Sequence, residues 1–188
     1  MPYDTFLDHK YQYFDQGIAQ PRFVYTHTGP GHSQNSGRCR NNEAELFEER
    51  LKIANQEMKD DIAHIEAVDP GAIIIINGDH GPYLTKNCTT LDEKYQGQDV
   101  NRLDLQDRYG AFLAIRLPQN DPIPPSNIET LADVFPEIFN YLSQTTAFNV
   151  FKPSTRTLKN VSAGVYIEDG IIHGGINDSE PLFIGQKK

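Results

Sequence analysis

Asp79 and His80 are the residues of this chain whose types and spacing best suit metal binding or catalysis. In the sequence they come shortly after the apolar stretch of residues 72–76. A carboxylate beside an imidazole supplies two of the ligands that Zn²⁺ or Mn²⁺ prefers. Gly81, which follows, allows the backbone to turn away from the ion. The sequence therefore predicts half of a divalent-metal site, held in place by a rigid strand.

The same pair also has an ordinary interpretation, because an Asp-His pair at a strand end is more often a hydrogen-bonded loop feature. Two ligands do not complete a site, so others must come from elsewhere in the chain. His173 is a candidate ligand, whereas His27 and His32 are candidates for a catalytic role at the same site. Taken alone, His32 is typical of a loop histidine and His173 of a hairpin histidine. The glycine-rich loop around His32 is not a P-loop, because it lacks the Gly-Lys-Ser/Thr ending.

Two predicted strands would bring these groups to one edge of a sheet. Residues 22–27 are short, aromatic and β-branched, which is typical of a strand, and this strand ends in His27. Residues 72–76 are apolar on both faces, which is typical of a central parallel strand covered by helices. A strand, a crossover helix and a second strand form a right-handed βαβ unit, and ligands bind at the carboxyl ends of such strands. We therefore predict an α/β fold in which both strand ends open on one edge.

The crossover helix is predicted by apolar residues three and four positions apart within residues 47–65. Asn42 followed by Glu45 resembles a capping box at its start. The Asp-Pro-Gly sequence of residues 69–71 is expected to end it.

The rest of the chain adds four expected elements. Residues 85–107 are predicted to form a surface loop with a short helix, and residues 111–118 a strand. Asp133 is expected to begin a helix with Pro136 in its first turn, where proline is tolerated. A hairpin is predicted to turn at residues 168–170.

Several stretches together resemble the alkaline phosphatase superfamily, in its sulfatase-like branch. That branch includes membrane-anchored phosphoethanolamine and glycerol-phosphate transferases. DPGAIIIINGDHGP, residues 69–82, resembles the Asp-His-Gly metal motif of this family. PRFVYTHTGPGHS, residues 21–33, resembles the strand that ends in one histidine and leads to a second, substrate-facing one. Residues 51–65 resemble the crossover helix of this family, and residues 107–118 resemble the strand that follows its metal loop. DVFPEIF, residues 133–139, resembles an Asp-x-x-Pro-Thr helix start, with Glu137 in place of threonine.

The resemblance, which runs over residues 21–142, implies a three-layer α/β/α fold with a mostly parallel sheet, to which the C-terminal β-hairpin is added. It implies that Asp79 and His80 bind one catalytic metal ion, with Zn²⁺ or Mn²⁺ expected and Mg²⁺ or Ca²⁺ as alternatives. His32 would contact the substrate phosphate or sulfate, and His27 would line the same pocket. His173 faintly resembles a late histidine that completes one metal site in some members.

The resemblance also implies that residues 1–188 form one domain that is the C-terminal part of a larger catalytic domain. Family members carry the nucleophile and further acidic ligands in a preceding half, and Thr26, Thr28 and Ser33 do not stand at the nucleophile position. By the same analogy the parent protein would be anchored in a membrane and face the periplasm or the outer surface. The chain itself is expected to be soluble, with a membrane connection only through that preceding part.

The expected function is therefore that of a metal-dependent sulfatase-like hydrolase or phosphoryl transferase acting on phosphate or sulfate esters, for example of a lipid or glycan headgroup. One alternative is a non-catalytic module that binds an anionic group or a partner chain. Another is a cytoplasmic hydrolase with a separate site made of Asp79, His80 and His173.

Composition limits these interpretations. The 188 residues suffice for one domain with a core. The net charge of −9 argues against nucleic acid as a partner. No stretch approaches the roughly 18 apolar residues of a membrane helix. Cys39 and Cys88 are either free thiols or one disulfide, and a disulfide would imply an oxidising compartment.

Overall fold

The computed structural model describes residues 3–16, 21–27, 39–86, 95–118, 127–154, 158–162 and 164–184. The helices in these ranges are α1 (Tyr3–Asp15), α2 (Glu43–Val68), α3 (Arg102–Tyr109) and α4 (Val134–Ser143), with short 3₁₀ helices at Gly97–Asp99, Leu131–Asp133 and Ala147–Phe151. The strands are β1 (Ile74–Asn77), β2 (Leu113–Arg116), β3 (Leu158–Ser162), β4 (Val165–Glu168) and β5 (Ile171–His173). None of the helices described is long and apolar enough to cross a membrane.

The strands form two small antiparallel sheets, so the predicted three-layer α/β/α fold with a mostly parallel sheet is wrong. β1 pairs only with β2 among the described strands, and Ile74 lies opposite Arg116. The other sheet has the order β3-β4-β5. Residues 21–27 belong to no strand, so the predicted βαβ unit is wrong as well. Residues 72–76 are half-buried rather than covered on both faces.

Helix α2 confirms the amphipathic helix that the spacing of apolar residues predicted. Its start differs from the expected capping box, because the side chain of Asn42 makes no capping hydrogen bond. Instead the carboxylate of Glu43 accepts hydrogen bonds from the backbone N–H and the Nε of Arg40, at 3.2 and 3.1 Å. The helix ends as expected before Asp69, whose N–H still donates to the carbonyl of Ile65.

Helix α1, which the sequence did not predict, is joined to α2 by polar contacts. Lys10 is buried, and its Nζ lies 2.6 Å from a carboxylate oxygen of Asp61. The hydroxyl of Tyr11 donates to the same oxygen at 3.2 Å. An imidazole–carboxylate pair also joins the two helices, with Nε2 of His64 2.8 Å from Oδ1 of Asp15. Charged and polar groups therefore dominate the specific contacts of this helix pair.

The main hydrophobic core lies where α3 packs against the C-terminal sheet. Its buried members are Val100, Leu105, Val165, Ile167, Ile172 and Leu182, with Tyr109 packed against them. Arg102 reinforces this packing, because its Nε donates to the carbonyl of Pro181 at 2.9 Å. The predicted hairpin is confirmed: Asp169 and Gly170 have φ values of 48° and 80°, as a tight turn between β4 and β5 requires. Helix α3 is thus fixed on one side by this core.

Helix α4 confirms the helix that was expected to begin at Asp133. The Oδ2 atom of Asp133 accepts hydrogen bonds from the N–H groups of Glu129 and Thr130, at 3.0 and 2.8 Å. Pro136 stands in the first turn of the helix, as predicted. On this helix Ile138 is buried, whereas Leu142 is exposed.

Candidate functional site

Asp79 and His80 lie on a loop that is attached to α3. We call residues 78–86 the site loop; it comes after β1, and its first half lies along the C-terminal end of α3 and the start of β2. Three backbone hydrogen bonds hold it there: Gly78 N–H to the carbonyl of Phe112 at 2.9 Å, Gly81 N–H to that of Arg108 at 2.9 Å, and Tyr83 N–H to that of Asp107 at 3.4 Å. Because α3 is fixed by the C-terminal core, the site loop rests on a rigid support.

Gly81 is required by this close contact. It is buried, and a Cβ atom on it would overlap the backbone carbonyl of Asp107. The carboxylate of Asp107 also accepts hydrogen bonds from the N–H and the hydroxyl of Thr85, at 2.9 and 3.2 Å. The sequence suggested that this glycine lets the backbone turn, but the structure gives a further reason, the close approach of two backbone segments.

The side chains of Asp79 and His80 converge at the exposed side of the site loop. Nδ1 of His80 lies 2.8 Å from the carbonyl oxygen of Gly81, and since a carbonyl can only accept, Nδ1 carries the proton. Nε2 then lies 3.5 Å from Oδ2 of Asp79. The side chains of Asp79 and His80 are 72% and 35% exposed, so solvent ions have access to the pair.

This geometry fits a single bound metal ion. Two ligand atoms on one tetrahedral Zn²⁺, each roughly 2.0–2.1 Å from the ion, lie about 3.3–3.4 Å apart. The observed distance between Nε2 of His80 and Oδ2 of Asp79 is 3.5 Å. A histidine that binds metal usually donates its other ring N–H to a carbonyl or carboxylate, as Nδ1 of His80 does to Gly81. The pair can therefore supply two ligands to one ion.

Tyr83 packs directly on the imidazole of this pair. The ring centroids of His80 and Tyr83 are 4.7 Å apart, with an angle of 22° between the ring planes. The guanidinium of Arg108 lies 4.8 Å from the centroid of the Tyr83 ring. Burial is the main cause that raises the pKa of the Tyr83 hydroxyl, and the positive charge of Arg108 opposes it in part. The hydroxyl therefore stays protonated at neutral pH.

Of the other predicted site residues, His27 and His173 are described by the structure, and neither joins Asp79 and His80 in a group that could hold a metal ion. His27 has its Nδ1 3.1 Å from the hydroxyl of Tyr25. His32 lies outside the described residues. His173 is on β5, stacked on Tyr166 with centroids 4.6 Å apart. Over the described part of the chain, no three His, Cys, Asp or Glu side chains form a group that could hold a metal ion.

A disulfide adjoins the site loop. Cys39 is disulfide-bonded in the structure, and Cys88, the other cysteine of the chain, lies outside the described residues. Of the two alternatives that the sequence left open, the structure thus contains the disulfide. The sulfur of Cys39 lies 3.1 Å from the backbone carbonyl oxygen of Tyr83. A disulfide sulfur carries no proton, so this is a packing contact rather than a hydrogen bond.

The residues that support the pair were not identified from the sequence. The sequence assigned no role to Asp107, Arg108 or Tyr83, and their contacts join segments that are distant along the chain. Tyr83 also has a φ of 60°, a conformation that is uncommon for a bulky residue. The Gly-Pro dipeptide before it signals a turn, which is the only local sequence hint of this geometry.

No protein-family model, no curated protein and no solved structure matches this chain. The likeness to the sulfatase-like branch therefore depends on the sequence motifs alone. Any function assigned to the chain must rest on those motifs and on the geometry of the site loop.

Proposed function

We propose that Asp79 and His80 form half of the divalent-metal site of an enzyme that handles phosphoryl or sulfuryl groups, and that this chain is the C-terminal part of that enzyme. One observation carries the proposal: Nε2 of His80 lies 3.5 Å from Oδ2 of Asp79 while Nδ1 donates to the carbonyl of Gly81. This is the arrangement that two ligands of one ion need before the ion binds.

The ligand types favour Zn²⁺ or Mn²⁺. Mg²⁺ and Ca²⁺ take shells made of oxygen atoms, whereas an imidazole suits the transition metals and zinc. A metal ion at this position would lower the pKa of a bound nucleophile and offset the negative charge of the transferred group. In the resemblance on which the reaction class depends, His32 would steady the oxyanion of the substrate.

The substrate proposed is a phosphate or sulfate ester, such as that of a lipid or glycan headgroup. By the same resemblance, the parent protein would be anchored in a membrane and face the periplasm or the outer surface. The disulfide at Cys39 supports that location, because disulfides persist in oxidising compartments. The chain would reach the membrane through the preceding part of the parent protein.

A second candidate is a non-catalytic module that binds an anionic group or a partner chain. One observation favours it: within the residues that the structure describes, the Asp79–His80 pair is not joined by a third metal-binding side chain. The placement of His173 on β5, in a stack with Tyr166, gives no support to a separate three-residue site with Asp79 and His80.

Metal binding can be tested by titrating the protein with Mn²⁺ and recording NMR spectra. Two protein ligands bind weakly, and paramagnetic broadening detects weak binding at individual residues. We expect substoichiometric Mn²⁺ to broaden the signals of Asp79 and His80 first, and His80→Ala to remove the effect at Asp79. His64→Ala is the matched control, since His64 also faces a carboxylate, Asp15, at 2.8 Å.

Broadening spread evenly over the acidic surface, or unchanged in His80→Ala, would overturn the metal site. If the site is confirmed, the gene region upstream of Met1 separates the two candidates. An in-frame extension that encodes a strand-end Thr, Ser or Cys nucleophile supports the enzyme. A translation start at Met1 favours the binding module.

A further inference from the structure

Tyr83 adopts a backbone conformation that tyrosine rarely takes. Its φ is 60°, in the left-handed region that favours glycine. A bulky residue keeps such a conformation only where its surroundings require it, and these positions cluster at functional sites. The contacts of Tyr83 must therefore hold it in this conformation, and they show which neighbouring residue its ring orders.

The ring of Tyr83 contacts a histidine and an arginine. One neighbour is the imidazole of His80, at 4.7 Å and nearly parallel. The other is the guanidinium of Arg108, at 4.8 Å. Arg108 also lies 5.6 Å from the ring of Tyr109, and its Nε donates to the hydroxyl of Tyr109 at 3.0 Å. Its Nη1 is buried and has no hydrogen-bond partner in the part of the chain that the structure describes. Aromatic contacts therefore contribute strongly to the placement of the guanidinium.

The backbone of Tyr83 is held on two sides. Its N–H donates to the carbonyl of Asp107 at 3.4 Å, and its own carbonyl touches the sulfur of Cys39 at 3.1 Å. These contacts join the ring to α3 on one side and to the disulfide on the other. The aromatic surface under His80 is therefore a fixed feature of the site loop.

We propose that Tyr83 is a positioning residue that sets the orientation of the His80 ring for metal binding. This inference rests on the proposed metal half-site. A histidine side chain has two rotatable bonds, and the hydrogen bond from Nδ1 to the carbonyl of Gly81 fixes one point of the ring. Stacking on Tyr83 restrains the tilt of the ring and keeps Nε2 directed toward Oδ2 of Asp79. Arg108 supports the ring of Tyr83.

The test compares two variants at residue 83. Tyr83→Phe keeps the ring and its stacking. Tyr83→Gly removes the ring but relieves the backbone, because glycine accepts a positive φ without strain. This second variant therefore separates positioning from stability. Tyr166→Leu is a control, since Tyr166 stacks on His173 in a similar way, away from the site loop.

The first measurement is made without metal, by NMR of the His80 imidazole. Stacking on an aromatic ring moves the ring protons of a histidine upfield, and the nitrogen shifts report which nitrogen is protonated. We expect the wild type and Tyr83→Phe to show upfield shifts and a proton on Nδ1. In Tyr83→Gly the upfield shift should disappear. Tyr166→Leu should change the His173 signals and leave those of His80 in place.

The second measurement is the affinity for Mn²⁺ in the same proteins. Changes in residues that orient a metal ligand typically cost tenfold to hundredfold in affinity, so we expect Tyr83→Gly to weaken binding by about tenfold or more. Tyr83→Phe should stay within about twofold of the wild type, because it keeps the ring contact. Thermal unfolding of each variant shows whether it is folded.

The outcomes distinguish this inference from the proposed function. If wild type binds Mn²⁺ at His80 and Tyr83→Gly binds equally well, positioning by Tyr83 is wrong and the metal half-site stands. If wild type shows no binding at His80, the proposed function fails. The metal-free spectra still decide whether Tyr83 orders the imidazole: unchanged His80 shifts in folded Tyr83→Gly overturn the inference.

Discussion

The backbone of Gly81 lies so close to Asp107 that a Cβ atom on residue 81 would overlap the Asp107 carbonyl. The carboxylate of Asp107 meets the same loop a second time, at the N–H and hydroxyl of Thr85. The site loop is thus fitted to the last turn of α3 on both sides of Tyr83. The position of His80 therefore depends on contacts between the site loop and α3.

We expect Gly81→Ala to lower the free energy of unfolding by about 1–3 kcal/mol, the usual range for overpacking a close contact. The loop must move away from Asp107 to admit the methyl group, so the signals of His80 should shift as well. Urea denaturation gives the stability, and NMR of the imidazole gives the displacement.

Gly71→Ala is the matched control for this change. A Cβ atom on residue 71 would meet only Oδ1 of Asp69, at 3.3 Å, and a side-chain oxygen can move. Its effect should stay within about 0.5 kcal/mol. Equal losses in the two variants would show that the contact between Gly81 and Asp107 does not limit the loop.

Leu105 provides a test of the support beneath the site loop. It lies on α3 and is fully buried, at 0% exposure. Leu105→Ala should cost about 2–5 kcal/mol, because it removes apolar contacts and leaves a cavity in the C-terminal core. Leu103→Ala, two positions away and 61% exposed, should cost far less. Similar losses by thermal or urea unfolding would contradict the placement of α3 in the core.

The amphipathic helix α2 and the C-terminal hairpin are the parts of the fold that the sequence predicted well. Both depend on local signals. The spacing of apolar residues along α2 reports a helical period directly. At Asp169 and Gly170 the residue types match the positive φ values that the turn needs. Neither the helix nor the hairpin depends on contacts between segments that are distant along the chain, so both can be predicted from local sequence.

Strand pairing could not be predicted in the same way. The apolar residues 72–76 correctly indicate a strand, but an apolar run does not report the direction of its partner. The partner β2 comes after α3 and runs antiparallel. Residues 22–27 have strand-forming side chains yet belong to no strand. A segment with high strand propensity forms a strand only when another segment pairs with it.

The proximity of Asp79 and His80 could be expected from the sequence, whereas the residues that support them could not. Asp79 and His80 are adjacent in sequence, so their proximity needs no tertiary information. Their ordering depends on Tyr83 and on α3, which approach only after folding. His32 lies outside the described residues, and its expected contact with substrate stays a prediction.

Glu43 is expected to make the stability of α2 depend on pH. Its carboxyl is buried, which raises its pKa, but the hydrogen bonds and charge of Arg40 outweigh burial and place the pKa below the usual 4.5. A folded-state pKa below the unfolded value stabilises the protein above about pH 4.5. That contribution is lost as the pH falls through the folded-state pKa.

Glu43→Gln should therefore be less stable than wild type at neutral pH, by about 1 kcal/mol, the net worth of a hydrogen bond. The difference should shrink as the pH falls below the usual pKa of 4.5 and through the lowered pKa of Glu43 in the folded protein. Urea unfolding of both proteins across this range measures it. Glu48→Gln is the control, because Glu48 pairs with Lys52 on the exposed face of the same helix. A difference that does not change with pH would exclude the ionised Glu43 as its cause.

The disulfide at Cys39 should stabilise the site loop. Cys39 contacts the backbone of Tyr83, so the cross-link restrains the residue on which His80 stacks. Reduction should lower the free energy of unfolding by about 2–4 kcal/mol. It should also reduce the upfield shift of the His80 ring protons, because Tyr83 gains freedom. Unfolding curves and imidazole spectra with and without reductant test both effects.

The double variant Cys39→Ser/Cys88→Ser controls for the reductant itself. It should resemble the reduced wild type and show no response to reductant. A loss of stability without any change at His80 would mean that the disulfide stabilises the fold but not the imidazole. A change at His80 with little loss of stability would mean that the cross-link acts locally, through Tyr83.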